Sequence, residues 1–263
     1  MSRFILDLRV EAIEHPRADY ALLRLSNPQG PMPPMQPGQF VQVRIDGSPT
    51  TFLRRPISIN YADDTCLWLL VHNVGDGTAR LCALHEGDTL NCLLPLGTGY
   101  TLPTEGTAPR RYLLIGGGVG TAPLLYLGSR LRSLGHDVTF ILGGRSATDV
   151  LQTELFKGFG RVCITTNDGT LGEPGFVTQH SILSQETFDQ ICTCGPKPMM
   201  QAVVKWAREH DTPCEVSLEN MMACGLGACL CCVENTVKGP RDSFVETIRI
   251  NTSLVRRHLR SAD

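Results

Sequence analysis

The densest chemistry in the chain lies near its end. Cys224, Cys229, Cys231 and Cys232 crowd into nine positions, in the run Cys224-Gly225-Leu226-Gly227-Ala228-Cys229-Leu230-Cys231-Cys232. The spacing is C-x4-C-x2-C, the run that begins a plant-type [2Fe–2S] site. Thiolates hold ferric iron in such a site, and a tight loop points several sulfurs inward. Gly225 and Gly227 let the backbone wrap a cluster and offer amides to its sulfides. A zinc site usually has C-x2-C pairs in two halves, and no second half is present. The candidate iron ligands are Cys224, Cys229 and Cys232. Four thiolates are needed, yet no cysteine follows Cys232. Cys231 would strain the loop if recruited, and Cys214 could approach only if the chain folds back; either could serve, as could a non-cysteine ligand, and otherwise the cluster is labile or absent. Unliganded thiols remain the alternative.

A second constellation is Gly116-Gly117-Gly118-Val119-Gly120-Thr121-Ala122-Pro123. It follows an apolar run and opens a helical pattern. Glycines let backbone amides approach a phosphate closely, and a helix N-terminus adds partial positive charge. The spacing is not the strict G-x-G-x-x-G, so a purely structural strand-to-helix turn stays open. Cys194-Gly195-Pro196-Lys197-Pro198-Met199 lies at another expected strand-to-helix junction. Alone it reads as a turn with proline near the helix start. Paired with the glycine turn it gains meaning, because ligands of open α/β sheets sit at the carboxyl ends of strands.

Leu53-Arg54-Arg55-Pro56-Ile57-Ser58-Ile59 puts two arginines and a serine in a strand-like run. Alternation sends Arg55, Ile57 and Ile59 to one face and Arg54, Pro56 and Ser58 to the other. Arginine matches phosphate with a planar fork, and a serine nearby can donate to a heterocycle. A solvated edge strand is the competing reading. Gly75-Asp76-Gly77-Thr78 reads as a further turn able to contact phosphate. His72 and His85 are isolated, and no Ser/His/Asp set, carboxylate pair or histidine cluster stands out. No catalytic side chain is assigned, and the chemistry falls to cofactors.

The elements that position these residues are of two kinds. Gln39–Ile45, Leu67–Val71 and Thr89–Leu94 read as short strands, punctuated by Pro37-Gly38, Asp63-Asp64 and Gly87-Asp88. They point to a small barrel or sandwich. After the Pro103–Pro109 stretch the pattern changes. Strands at Tyr112–Ile115, Val138–Leu142, Val162–Thr166 and Gln190–Thr193 alternate with helices. Those helices carry Leu124, Leu127, Leu131 and Leu134, then Asp149–Phe156, then Lys197–His210, and Gly135 caps the first of them. This alternation implies a doubly wound parallel sheet. The expected division is 1–105, 106–213 and a cysteine-rich 214–263.

The chain has 263 residues, 42% hydrophobic and 19% charged, with a net charge of −2. Long disorder and coiled coil are excluded on these grounds, and no basic excess points to nucleic acid or a membrane. Asp7 and Arg9 interrupt any apolar N-terminal run, so no signal peptide is read. With no secretory signal, eleven cysteines speak for metal or redox use over disulfides. The expectation is a cytoplasmic protein.

Over essentially the whole length, the order of these motifs resembles the ferredoxin-NADP reductase superfamily. The order is Pro37-Gly38-Gln39-Phe40, Arg54-Arg55-Pro56-Ile57-Ser58, Gly77-Thr78, Leu94-Pro95-Leu96-Gly97, Gly116–Pro123, Cys194-Gly195-Pro196 and the cysteine loop. Within that superfamily, Met222-Ala223-Cys224 through Cys229, with Cys232-Val233, is most similar to electron-transfer subunits of NAD-dependent (type B) dihydroorotate dehydrogenases. The resemblance implies an N-terminal FAD-binding antiparallel β-barrel, an NAD-binding α/β domain and a small C-terminal [2Fe–2S] segment. It implies that Arg55, Pro56, Ile57 and Ser58 contact the flavin and its phosphates, with Leu70, Val71, His72, Gly77 and Thr78 in later flavin-contacting segments. It places Gly117, Gly118 and Gly120 near the NAD nucleotide and Cys194, Gly195 and Pro196 near the nicotinamide. Cys224, Cys229 and Cys232 match three of the family's four cluster ligands. Where the fourth would follow, the chain reads Phe244-Val245-Glu246-Thr247-Ile248-Arg249-Ile250 and then a basic tail, Arg256-Arg257-His258-Leu259-Arg260. An altered C-terminus is one explanation.

The function so implied is electron relay within a heterotetramer. An FMN-containing dihydroorotate dehydrogenase catalytic subunit oxidises dihydroorotate, and electrons pass through the [2Fe–2S] centre and FAD to NAD+, in pyrimidine biosynthesis. Two other readings stay open. One is an NAD(P)H reductase subunit serving ferredoxin, sulfide or hydrogenase systems, where Arg145 could meet a 2′-phosphate or be a solvated turn residue. The other is a cluster-less flavin-binding regulatory homologue.

Overall fold

Period-two burial sets the first strand. In β1 (Phe4–Arg17), Leu8 and Val10 are buried while Asp7, Arg9 and Glu11 face solvent. The charges that break the apolar run are therefore its outward positions. β1 pairs antiparallel with β2 (Tyr20–Ser26), a hairpin that the sequence reading did not anticipate. The computed structural model describes residues 2–218, 222–224, 229, 234–236, 239–241 and 245–247. The remaining residues of the cysteine loop and the tail lie outside the described residues.

The described chain divides into two compact units. The first takes in residues up to Gly99 with 222–224 and 229. Here β1 and β2 join β3 (Phe40–Val43), β4 (Arg55–Ala62), β5 (Leu67–His72) and β6 (Thr89–Leu96). They close an antiparallel barrel in the order β1-β2-β5-β4-β3-β6. The strands expected at Gln39–Ile45, Leu67–Val71 and Thr89–Leu94 are β3, β5 and β6. Leu8, Leu23, Leu25, Ile59, Leu67 and Leu69 fill the interior, each with essentially no exposure. Met222 and Leu93 pack on buried Phe40 and Leu96, so the approach to the cysteine loop is seated on the barrel. Gly75–Thr78, expected as a plain turn, opens a helix instead, α1 (Asp76–Cys82). The Thr78 hydroxyl accepts the N–H groups of Val74 and Gly75 at 2.9 and 3.1 Å, fixing that helix start.

The second unit runs from Tyr100 to Leu218 and includes the later strands. Its parallel strands are β7 (Arg111–Gly117), β8 (Asp137–Gly144), β9 (Arg161–Thr166), β10 (Glu173–Pro174), β11 (Gln190–Cys194) and β12 (Cys214–Ser217). The helices are α2 (Ala122–Ser133), α3 (Thr153–Lys157), α4 (Ile182–Gln185) and α5 (Lys197–Glu209). Beyond them, β13 (Glu234–Thr236) and β14 (Gly239–Arg241) form a hairpin, and β15 (Val245–Thr247) adds antiparallel to β12. The seven-stranded order is β10-β9-β8-β7-β11-β12-β15.

The sheet is covered on both faces. Leu124, Leu125, Leu127 and Leu131 of α2 pack with Leu114, Phe140 and Cys192. Met200, Val203, Val204 and Ala207 of α5 pack with Ile115, Ile141 and Ile191 on the other side. The FAD-barrel-like plus doubly wound architecture expected from sequence is thus the observed one. The single helix expected over Asp149–Phe156 is broken. A 3-10 turn at Ala147–Asp149 is followed by extended Val150, and Gln152 adopts a left-handed φ of 59° before α3. The Asp149 carboxylate accepts the N–H groups of Arg145 and Ser146 at 3.0 and 3.3 Å, which closes the first turn on itself.

Candidate functional site

On the barrel, the candidate flavin segments are where β4 and β5 stop pairing with each other. Their register runs Ala62↔Leu67, Tyr61↔Trp68 and Ile59↔Leu69. Beyond it, Arg55–Ser58 pair with β3 and Leu70–His72 with β2. Backbone edges released in this way can bond the polar rim of a flat heterocycle. Leu70 and Val71 are buried, so their side chains belong to the barrel wall. Ile57 is buried too, while Arg55, Pro56 and Ser58 are half-buried.

The two arginines have different employment. Arg54 braces the barrel: its Nη1 donates to the carbonyls of Gln42 at 3.1 Å and Asn91 at 3.0 Å, and its Nη2 to the Asn91 side chain. Arg55 lies against the first turn of α1. A Cβ on Gly77 would stand 2.7 Å from Arg55 Nε and 3.3 Å from Thr51, so glycine is what admits the guanidinium there. Arg55, Gly77 and Thr78 thus come together, and among the described residues the Arg55 fork is anchored by Nη1 alone, on the Leu53 carbonyl at 3.0 Å. A fork beside the first turn of a helix is chemistry suited to phosphate. His72 is occupied in the barrel wall. Its ring stacks on Tyr20 at 4.3 Å, and Nε2 is 3.2 Å from Asp19 Oδ2. Arg17 donates to that carboxylate and holds Asp19 well below the usual carboxylate range.

In the α/β unit, the glycine turn and Cys194-Gly195-Pro196 meet at one edge of the sheet. The β7–β11 register ends at Cys194↔Gly116, so both loops leave adjacent strands at their carboxyl ends. The contact is backbone to backbone. A Cβ on Gly120 would lie 2.4 Å from Gly195 Cα, and one on Gly195 would lie 3.1 Å from Gly117 N. Gly118 has a φ of +56° and open space where a Cβ would be. After the 3-10 turn at Gly118–Thr121, Pro123 sits in the first turn of α2. Two buried hydroxyls at this edge, Thr165 Oγ1 and Thr193 Oγ1, have no hydrogen-bond partner among the described residues. A close-packed glycine cradle, an open left-handed glycine and spare buried donors fit a nucleotide cofactor. Arg145, after β8, is 89% exposed and pairs with Asp149 at 3.6 Å.

The cysteine loop is described at Cys224 and Cys229, neither in a disulfide; Cys232 lies outside the described residues. The Cys229 N–H donates to Cys224 Sγ at 3.4 Å. The other described cysteines are committed elsewhere. Cys92, Cys163, Cys192, Cys194 and Cys214 are buried in strands, and Cys66 and Cys82 lie in the barrel unit. Burial pushes the Cys214 and Cys92 thiols up to about 12. Cys214 is 2% exposed among Ile191, Val203 and Val216, which removes it as a ligand. Among the described residues no three His, Cys, Asp or Glu form a metal group. Among the described residues the loop thus presents Cys224 and Cys229, two of the four thiolates that a plant-type cluster takes.

Known proteins align with this architecture. An NAD(+)-dependent dihydroorotate dehydrogenase B electron transfer subunit of Shouchella clausii (strain KSM-K16) is 43% identical over 213 residues, 80% of this chain and 80% of its own. The subunit of that name from Listeria monocytogenes serotype 4b (strain F2365) is 44% identical over 202 residues, covering 76% and 78%. Among solved structures, an NADH-dependent reduced ferredoxin-NADP oxidoreductase studied for flavin-based electron bifurcation superposes with a TM-score of 0.81 at 24% identity, covering 99% of this chain and 95% of that one. The flavohem-like FAD/NAD binding domain of a Vibrio cholerae O1 biovar El Tor nitric oxide dioxygenase gives 0.64 at 20% identity, covering 79% and 94%. These structural likenesses carry the fold alone. Residues 231–263 match a different family, the Bacillus/Clostridium GerA spore germination protein.

Proposed function

Because the chain belongs to the family of electron transfer subunits of NAD-dependent dihydroorotate dehydrogenase B, we propose that it carries electrons between a dihydroorotate-oxidising partner and NAD+. The partner is an FMN-containing catalytic subunit, the setting is the cytoplasm, and the pathway is pyrimidine biosynthesis. Among the described residues no helix is long and apolar enough to cross a membrane.

The residues that would hold FAD are Arg55, Pro56, Ile57, Ser58, the backbone of Leu70, Val71 and His72, and the Gly77-Thr78 helix start. Those that would hold NAD(H) are Gly117, Gly118, Gly120, Cys194, Gly195 and Pro196. Bound FAD supplies the exchange between two-electron transfer with nicotinamide and one-electron transfer. The chain's own part is placement and charge. Arg55 offers a cation and a planar fork to phosphate without being tied up by a carboxylate. The glycine cradle lets amides approach a second phosphate pair and keeps side chains out of the way. In the family's cysteine motif, Cys224, Cys229 and Cys232 are the residues that would hold a [2Fe–2S] centre, whose chemistry is one-electron transfer.

The observation that carries this reading is the backbone contact of Gly120 on Gly195, which builds one nucleotide edge from two distant motifs. Its test is anaerobic purification with measured flavin content and NADH-dependent ferricyanide reduction. About one FAD per chain and NADH-driven turnover is the expected result. A colourless protein that leaves NADH untouched refutes it.

A further inference from the structure

Two independent observations meet inside the cysteine loop. The first is a shortage of thiolates. A plant-type cluster takes four, with the fourth well beyond the C-x4-C-x2-C run, and the chain has no cysteine after Cys232. The fold uses up the rest: Cys92, Cys163, Cys192, Cys194 and Cys214 are strand residues with buried side chains, and Cys66 and Cys82 belong to the barrel's β4–β5 turn and α1. Cys231 directly adjoins Cys232 in the sequence, so recruiting both would strain the loop. The second is a change of kinship. Residues 231–263 match the GerA family, a different family from the electron transfer subunits that the chain otherwise resembles.

We infer that residues 231–263 are a segment of separate origin standing where the fourth cluster thiolate would be carried, so that this chain alone binds FAD but does not complete a [2Fe–2S] cluster. The inference rests on the proposed reading of the chain as an FAD- and NAD-binding electron-transfer subunit. The GerA-matched stretch begins at Cys231 and so overlaps the family-like Cys232-Val233; what it replaces is the part that follows. Cys224 and Cys229 lie before the stretch, held together by the Cys229 N–H···Sγ contact, and Cys231 and Cys232 lie within it.

The test compares two full-length proteins, purified anaerobically and reconstituted with ferrous iron and sulfide. One is the chain as it stands. The other has residues 231–263 replaced by the corresponding C-terminal segment of the Shouchella clausii relative. Flavin, iron and acid-labile sulfide are measured, with low-temperature spin resonance after dithionite reduction. The expected result is equal flavin in both, with iron near background and no reduced-cluster signal in the first. The exchanged protein should gain about two irons per flavin and a rhombic signal. About two irons per flavin and that signal in the native chain overturn the inference. So does an exchanged protein that keeps flavin and gains no cluster. Loss of flavin and of NADH-driven ferricyanide reduction from both proteins would instead strike the proposed function.

Discussion

Gly120→Ala tests the nucleotide edge most directly. The new Cβ would stand 2.4 Å from Gly195 Cα, 2.6 Å from Gly195 N and 2.8 Å from the Cys194 carbonyl carbon. Every one of these atoms is backbone, so no side chain can swing aside. Reaching an ordinary contact of 3.4 Å requires the two loops to part by the missing ångström. Overpacking of this kind costs about 1–3 kcal/mol. In a unit of this size it lowers the Tm by roughly 2–4 °C for each kcal/mol. The larger effect is on chemistry, because a misplacement of about 1 Å can cost on the order of 100-fold in rate. Steady-state ferricyanide reduction with varied NADH should show kcat/KM down by about 10–100-fold, while flavin content stays that of the parent. Gly117→Ala is the internal comparison. Its Cβ meets Met199 Sδ at 2.7 Å, the end of a flexible side chain that can move. Gly120→Ala with parental kcat/KM and Tm, or Gly117→Ala as damaging as Gly120→Ala, refutes the idea that backbone contact between these loops builds the site.

Other outcomes follow from the same geometry. Arg55→Ala should weaken FAD by about 10–100-fold, the equivalent of losing charge-assisted bonds of ~1.5–3 kcal/mol, whereas Arg54→Ala should lower the Tm and leave the flavin stoichiometry of the folded protein unchanged; flavin titration and thermal melts separate the two. Gly128→Ala should destabilise despite alanine's better helix propensity, because its Cβ would sit 2.3 Å from Phe140 Cζ, and Phe140 is pinned against Phe156 at 4.9 Å; a melt showing stabilisation would contradict this. His136 is fully buried and accepts the Arg110 N–H on Nδ1 at 3.1 Å, and burial lowers its pKa. Below the ordinary histidine value the unfolded chain takes a proton that the native chain refuses, so stability falls as pH drops from about 6.5 towards the lowered native value. Urea melts between pH 7.5 and 5 should show that loss, and His136→Phe should flatten it; an unchanged slope in the variant would assign the acid sensitivity elsewhere, His180 included.

The sheet edge was legible because its signals are local. Glycines between an apolar run and a leucine stripe, and Gly-Pro before a second helical pattern, place both loops at strand ends. The doubly wound rule then puts them on one edge, and the Cys194↔Gly116 register agrees. What that pattern could not give is the van der Waals fit of Gly120 on Gly195, since it depends on two residues 75 positions apart in the sequence. β1 went unread because Asp7 and Arg9 were weighed as interruptions, although they are the solvent half of a period-two strand. The broken helix at Asp149–Phe156 shows a related blind spot. A polar side chain that captures two backbone N–H groups competes with helix continuation, and nothing in the apolar spacing announces it. Arg54 and Arg55 look interchangeable in sequence. Only the barrel, by bringing Gln42 and Asn91 beneath one of them, distinguishes a brace from a free fork.

The perturbed ionisations among the described residues follow from packing. Tyr100, Cys92, Cys192 and Cys214 are all shifted up, and in each case burial is the leading cause. His136 and His180 are shifted down for the same reason. Each of these shifts keeps a buried group neutral, which is what packing demands and the reverse of a general acid or base poised near neutrality. The lowered carboxylates, Asp19, Asp63, Asp168 and Glu173, are held by neighbouring arginine, threonine, serine or backbone donors in turns and strand ends. At the glycine cradle itself, the contacts of Gly117, Gly120 and Gly195 are with backbone, Pro196 and Met199. The glycine cradle of the α/β unit and, separately, the Arg55 fork of the barrel unit are each suited to phosphate. The proposed function assigns the abstraction of protons from a dihydropyrimidine to the partner polypeptide. A lost cluster connection would therefore leave this one able to accept electrons from NADH and unable to pass them on.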